Sequence, residues 1–243
     1  IRNYGQLEGA GGIGNDAIIN IIENSGSIIA TDEPLPGEGA AIGSVGVIGT
    51  IVNTNTITSN KQYGIGNGGQ IENIINSGII NADEGDGIAN RIGTYYGTPF
   101  AGQIETINNR STGVITGYLD GITNSHQIGT IANQGKIFGL TEFGILNSNQ
   151  LNTLNNSGLI RGDNAGIINY ASSSTYGAPV DGGLYSGNIN SIINSGSILG
   201  EQTSNHSSDL ISHACIFENN SLVPCQTGSG IINQRGFIGE IIN

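Results

Sequence analysis

The chain has no Met and no Trp, aromatic residues make up only 5% of it, and no segment repeats its apolar residues at a helical period. These absences exclude a conventional globular core of large side chains packed between helices and sheets. Lys and Arg number seven against 19 Asp and Glu, leaving a net charge of -12. Nucleic acid and anionic membrane both need basic patches, so neither is expected as the main partner. No apolar run approaches the ~20 residues of a spanning helix. Cysteine is scarce as well. Cys215 and Cys225 flank a short segment, Ile216 to Pro224, and such a close pair most simply closes one loop as a disulfide, which points to an oxidising compartment. Metal binding is the poorer reading, because no other Cys or nearby ligand set completes a tetrahedral site.

What the chain has in abundance is Ile, Asn and Gly, arranged in one repeated pattern. Asn-Ser-Gly with an isoleucine four places after the Asn occurs at Asn24, Asn76, Asn156 and Asn194, with degenerate copies at Asn3, Asn53 and Asn133. Around these asparagines, apolar residues recur five and two places before and four places after. Examples are Ile71, Ile74 and Ile80; Ile128, Ile131 and Ile137; and Leu151, Leu154 and Ile160. A second word, Gly-Ile-x-Asn or a close variant, ends at Asn15, Asn67, Asn90, Asn124, Asn147 and Asn169. The steps from Asn67 to Asn90 and from Asn124 to Asn147 are both about 23 residues, a period typical of stacked coils that cannot bury a core singly.

Each repeat therefore holds three short Ile-rich runs separated by Asn and Gly. β-Branched residues suit a pleated surface and the runs are too short for helices, so each is read as a strand. Gly and Asn between them tolerate φ > 0, which a sharp corner is expected to use. Three strands and three corners per coil give a right-handed three-sided parallel β-helix. About nine coils would make one elongated domain over residues 1–243, roughly 40 Å long at parallel-strand spacing. Isoleucine columns are expected inside, with asparagine ladders at two corners. The chain opens and closes inside repeats, at Ile1-Arg2-Asn3 and Ile241-Ile242-Asn243, and is read as a fragment of a longer array.

The Ile-x-Asn-Ser-Gly-x-Ile-x-Gly repeats closely resemble the passenger domains of Gram-negative autotransporters, and the resemblance covers nearly the whole chain. It implies a secreted or surface-displayed bacterial β-helix of a kind that includes adhesins, self-association factors, toxins and other virulence factors. The matching residues are scaffold, so the resemblance speaks to fold and secretion route and not to a ligand. Polysaccharide lyases and phage tailspikes share the architecture. They usually have less regular coils and a cleft of acidic and basic residues, which is not apparent here.

Function is expected where the repeat is broken. Three insertions are read as leaving the same corner, the Gly-Ile-x-Asn asparagine or its apparent equivalent His213: residues 91–101, 170–186 and 214–227. Two share a theme, Thr94-Tyr95-Tyr96-Gly97-Thr98-Pro99-Phe100 and Thr175-Tyr176-Gly177-Ala178-Pro179, with Tyr185 after the second. Exposed aromatics offer large, fairly rigid contact surfaces, so Tyr95, Tyr96, Phe100, Tyr176 and Tyr185 are the candidate partner-binding set. The alternative is that these loops fold back over their own corner. A second kind of interruption, near residues 31–39 and 201–208, follows the third strand of a repeat. The first of these is acidic and invites a calcium reading, but carboxylates in a proline-stiffened loop are ordinarily just solvated.

Two further motifs carry less weight. Arg161-Gly162-Asp163 matches an integrin-recognition tripeptide, yet Gly162 is the small residue the repeat places there, and a turn readily accepts Asp163. The nearest approach to a catalytic group is His206-Ser207-Ser208-Asp209 with His213, without a nucleophile elbow. No enzymatic activity, cofactor or metal is expected. The expected partners are a host-cell receptor, a matrix protein or glycan, or another copy of the chain. The rival readings are a passive stalk and a polysaccharide-processing enzyme.

The cysteine reading has a direct check. Reduction should loosen the Cys215–Cys225 loop while leaving the solenoid intact, with a loss of about 2–3 kcal/mol at most from so short a loop. Two free thiols titrating in native protein purified under oxidising conditions would contradict the pairing.

Overall fold

In a computed structural model, residues 1–31, 39–95, 97–170, 187–201, 217–218, 221–222, 229–234 and 236–243 are described. They form a three-sided parallel β-helix. The first face is a nine-stranded sheet running from Arg2–Asn3 through Ile18–Asn24 to Phe237–Ile242, and the second and third faces have eight strands each. Each strand pairs in parallel with its counterpart one coil away, as Gln70–Asn76 does with Val47–Asn53 on one side and Gln103–Asn109 on the other. No helix occurs among the described residues.

Register follows from which residues must be inside. Two columns line the inner surface of the first face, one through Ile71, Ile104, Ile128 and Leu151, the other through Ile74, Ile107, Ile131 and Leu154. The second face supplies Ile57, Ile80, Ile115, Ile137 and Ile160, and the third Ile65, Ile88, Ile122, Ile145 and Ile167. All of these are fully buried. Apart from Ile104, Ile107 and Ile115, they are the positions that the two repeated sequence words pick out. Isoleucine stacks on isoleucine at strand spacing, each contributing on the order of 1.5–3 kcal/mol by burial.

The corners that end the first and third faces carry the asparagine ladders. At the first, the Nδ2 of Asn3, Asn24, Asn53, Asn76, Asn109, Asn133, Asn156 and Asn194 each donates to the Oδ1 of the next, ending on Asn243, at 2.7–2.9 Å. At the second, Asn67 to Asn90, Asn124, Asn147, Asn169 and Asn233 are linked in the same way. The same Nδ2 groups reach backbone carbonyls of the next coil, as Asn133 does to Leu159 at 3.2 Å. Buried amides are thus satisfied while they lock adjacent coils together.

Two features differ from the sequence reading. Corner glycines do not have the positive φ expected of them; among the described glycines only Gly97 does, at 78°. They are glycine because successive coils touch there. A Cβ on Gly26 would lie 1.9 Å from the carbonyl oxygen of Gly5, and one on Gly78 would lie 2.1 Å from that of Asn55. The coil of Asn109 also escaped the repeat pattern. Its corner, Asn109-Arg110-Ser111-Thr112-Gly113, is two residues longer than Asn-Ser-Gly, which displaces Ile115 from the usual offset.

The column and the ladder can be tested separately. Ile131→Asp puts an unpaired charge at a fully buried position and should cost several kcal/mol. Asn133→Asp keeps the shape but removes the donor to Asn156, and should cost at least about 2 kcal/mol. Asn152→Asp, on the outer surface of the same region, should be nearly silent. Denaturant midpoints of the three variants give the comparison; equal effects at positions 133 and 152 would refute a structural ladder.

Candidate functional site

The corner between the third and first faces is the edge from which two of the insertions leave. Residues 91–101 follow the third-face strand Asp86–Asn90 and return at Gln103–Asn109; the 170–186 insertion follows Ala165–Tyr170 and returns at Asn188–Asn194. Two third-face strands, Ile122–Asn124 and Phe143–Asn147, lie between these exits. The exits are thus three coil steps apart, about 14 Å along the rod.

The cysteine segment does not share this edge. The residue stacked on Asn169 is Asn233, which accepts its Nδ2 at 2.8 Å, so the corner equivalent assigned to His213 belongs to Asn233. The reason is register: Ile231-Ile232-Asn233 lies directly over Ile167-Ile168-Asn169. Residues 201–228 therefore form one interruption, between second-face Ser197–Gly200 and third-face Ser229–Gln234. They leave the second-to-third corner, as the loop near residues 31–39 does between Ser27–Ala30 and Ala40–Ser44.

The first insertion is a β-hairpin. Ile92–Tyr95 pairs antiparallel with Thr98–Ala101, matching Ile92 to Ala101 and Tyr95 to Thr98. The turn passes through Gly97, whose φ of 78° other residues rarely adopt. At the base, the Gly102 N–H donates to the Arg91 carbonyl at 2.7 Å. Phe100 is half-buried, with its ring against Gly68 and Gly93, where an added Cβ would come within 2.5 and 2.7 Å of ring atoms. It therefore packs back onto the scaffold, whereas Thr98 and Pro99 are exposed. Arg91 lies with its guanidinium 4.7 Å over the Tyr63 ring. Tyr95 enters through its backbone pairing. Tyr96, Tyr176, Tyr185, the histidines 206 and 213, Cys215, Cys225 and residues 32–38 of the acidic loop lie outside the described residues.

The integrin-like tripeptide is built into the scaffold. Arg161 lies in the second-face strand Leu159–Gly162, its guanidinium 4.7 Å over the Phe138 ring and 3.3 Å from a Glu201 carboxylate oxygen. Asp163 is only 4% exposed. Gly162 sits where a Cβ would be 2.0 Å from the Ala165 carbonyl oxygen.

A group that sequence reasoning missed lies on the outer side of the third face. Asp86 and Asp120 precede Ile88 and Ile122 by two places on adjacent coils, so register stacks one above the other. The Asp120 N–H donates to Asp86 Oδ1 at 3.3 Å. Asp120 is 4% exposed; its Oδ1 accepts from the Phe143 N–H at 2.9 Å and its Oδ2 from the Thr123 hydroxyl at 3.0 Å. Burial, with the charges of Asp86 and Glu142 adding to it, pushes the Asp120 carboxyl well above the usual carboxylate range. Asp86 is raised to about 6, chiefly by burial. The signal was present in the sequence as a repeated Asp-Gly-Ile, at residues 86–88 and 120–122. Only the pairing of the two coils makes it a cluster. Elsewhere, burial lowers the His126 imidazole, whose Nδ1 has no partner among the described residues.

Comparison with family models, with curated proteins and with solved structures finds no match.

The tripeptide geometry yields a test. Gly162→Ala forces the corner apart and should destabilise the rod by about 1–3 kcal/mol. Arg161→Ala loses only a part-exposed ion pair and ring contact, worth about 1 kcal/mol or less. Thermal melts of both variants check the order; a larger loss at Arg161 would reverse it.

Proposed function

We propose that the chain is part of a secreted or surface-displayed bacterial β-helix of the autotransporter-passenger type, which works by binding. The expected partner is a host-cell receptor, matrix protein or glycan, or another copy of the chain. The observation that carries this reading is the pair of aromatic-containing insertions leaving one edge of a regular rod about 14 Å apart. The first is a hairpin with an exposed tip, anchored by Phe100 and closed by the bond between Gly102 and Arg91. A rigid scaffold holding a projecting loop is the usual division of labour in binding proteins. The net charge of -12 favours partners other than nucleic acid, and no helix among the described residues is long and apolar enough to cross a membrane.

The carboxyl pair gives polysaccharide processing little support. Glycoside hydrolysis needs two carboxyl groups flanking a sugar, whereas Asp120 is enclosed and spends both oxygens on protein donors. A passive stalk is the stronger rival, because a uniform rod needs no ligand to act as a spacer.

Binding to host-cell surfaces, matrix proteins and glycan arrays, run beside sedimentation for self-association, separates these readings. Alanine at the best-placed of Tyr95, Tyr96, Tyr176 and Tyr185 should cost on the order of 2 kcal/mol, about thirtyfold in affinity, without lowering the melting temperature. Phe100→Ala should weaken binding and also loosen the hairpin, because its ring packs on Gly68 and Gly93. Binding that survives alanine at all five aromatics would move the contact to the polar faces of the rod. No binding and no self-association would leave the stalk.

A further inference from the structure

The carboxyl stack on the third face is costly and serves no purpose in the binding reading. Asp120 is enclosed, Asp86 lies one coil below it, and Glu142, beside Phe143 on the next coil, adds a third acid. Burial raises both Asp carboxyls; the charge of Glu142 adds to the rise in each, and that of Asp86 adds to the rise in Asp120. The groups facing the pair come from four coils' worth of neighbours. Tyr63 is paired with Asp86 from the coil below, Arg91 lies at the end of Asp86's own strand, and Thr123 and Glu142 approach from above. Arg91 is the nearby cation, and it is stacked on Tyr63. Lys61 is turned to Glu84, 3.0 Å away. Asp83 receives the Asn81 amide at the exposed corner.

We propose that the Asp86–Asp120–Glu142 stack is a proton-dependent clasp: the central coils hold together more tightly when the stack carries a proton at mildly acidic pH than when it is fully ionised. With a proton on the pair, adjacent coils share a charge of one in place of two, and the in-register spacing is relieved of like-charge contact. Without it, two carboxylates are held one strand spacing apart on a largely buried face, where water screens them poorly. The scaffold cannot spread to relieve this, because the isoleucine columns and both ladders fix the coil spacing.

The direction of the linkage follows from proton counting. A carboxyl whose folded-state pKa is raised binds more protons folded than unfolded between its ordinary value, near 4, and its raised value. Asp86, raised to about 6, therefore favours the fold below that pH and loses this contribution as pH rises through 6. This is opposite to the usual salt-bridged carboxylate. The location also matters for the proposed binding edge. Arg91 shares the electrostatics of Asp86 and carries the carbonyl that closes the hairpin base, so the charge of the stack is felt where the hairpin leaves the rod.

Denaturant unfolding of the full chain between pH 5 and pH 8 tests the clasp, with Asp120→Asn and Asp86→Asn beside the wild type. Asn at 120 retains an acceptor for the Phe143 N–H and adds no charge. The unfolding equilibrium constant of the wild type should rise by at least about tenfold across this range, the change expected from Asp86 alone as a carboxyl near 6 in the fold returns to near 4 on unfolding, with Asp120 adding to it. The rise should be reduced in both Asp86→Asn and Asp120→Asn, each of which leaves one raised carboxyl, and absent when both are replaced, and at pH 8 the Asp120→Asn protein should be at least as stable as the wild type. An infrared band from protonated carboxyl groups at pH 6, weakened in each single variant and lost when both are replaced, should accompany it. If either variant fails to fold, the other variant and the wild-type band decide. A wild-type constant that is flat or falls with pH, a variant that keeps the full slope, or the absence of the band would overturn the proposal. None of these outcomes depends on whether the rod binds a partner.

Discussion

Each coil must repeat its predecessor in register at strand spacing, and the rest of the molecule follows from that constraint. Backbone hydrogen bonds in a parallel sheet need neighbouring strands about 4.8 Å apart. Once three faces obey this together, every side chain meets its own equivalent from the coil above and below. Isoleucine then meets isoleucine, and the stacked side chains form one continuous buried column. Asparagine meets asparagine, which is one of few polar residues whose side chain can donate upward and accept from below in an endless row. The ladder through Asn3 to Asn243 does this along the entire length of the rod. It turns a buried polar corner, ordinarily a cost, into a directional tie.

The same constraint explains the glycines and the hairpin. Where coils approach closely, as at Gly26, Gly78 and Gly158, the preceding carbonyl occupies the space of a Cβ. Variation is confined to corners, because an insertion there leaves every strand in place. The hairpin at Ile92–Tyr95 and Thr98–Ala101 adds residues between Asn90 and Gln103 without disturbing the ladder, in which Asn90 still bonds Asn124. Chain length between coils is thus free while register is not, and that separation lets a scaffold carry a contact surface.

In-register stacking also magnifies whatever it repeats. A single acid on a coil surface is unremarkable, but the same acid at an enclosed position on two consecutive coils becomes a buried like-charge pair. Asp86 and Asp120 are such a case. The ladder amides and the carboxyl stack are therefore two results of one geometry, one neutral and complementary to itself, the other charged and repelled by itself. Self-compatible neutral pairs of the first kind recur on the outer side of the first face, as in Thr106 over Asn73 and Gln103 over Gln70.

The sequence by itself determined the fold, the inward columns and most of both ladders, because each repeat states the same local rule and repetition removes the ambiguity of a single short strand. Ile71, Ile74 and Ile80 could be placed inside from their offsets to Asn76 alone. It could not place the corner glycines correctly, since close approach between coils is not a local property. Nor could it number the insertion corners where the pattern lapsed: Asn109 was hidden by a longer turn, and Asn233 was displaced by a long interruption. What only the tertiary structure decided was which distant residues share a column. Asp86 and Asp120 are 34 residues apart, with a hairpin between them, and become neighbours only because a solenoid brings each coil back over the last.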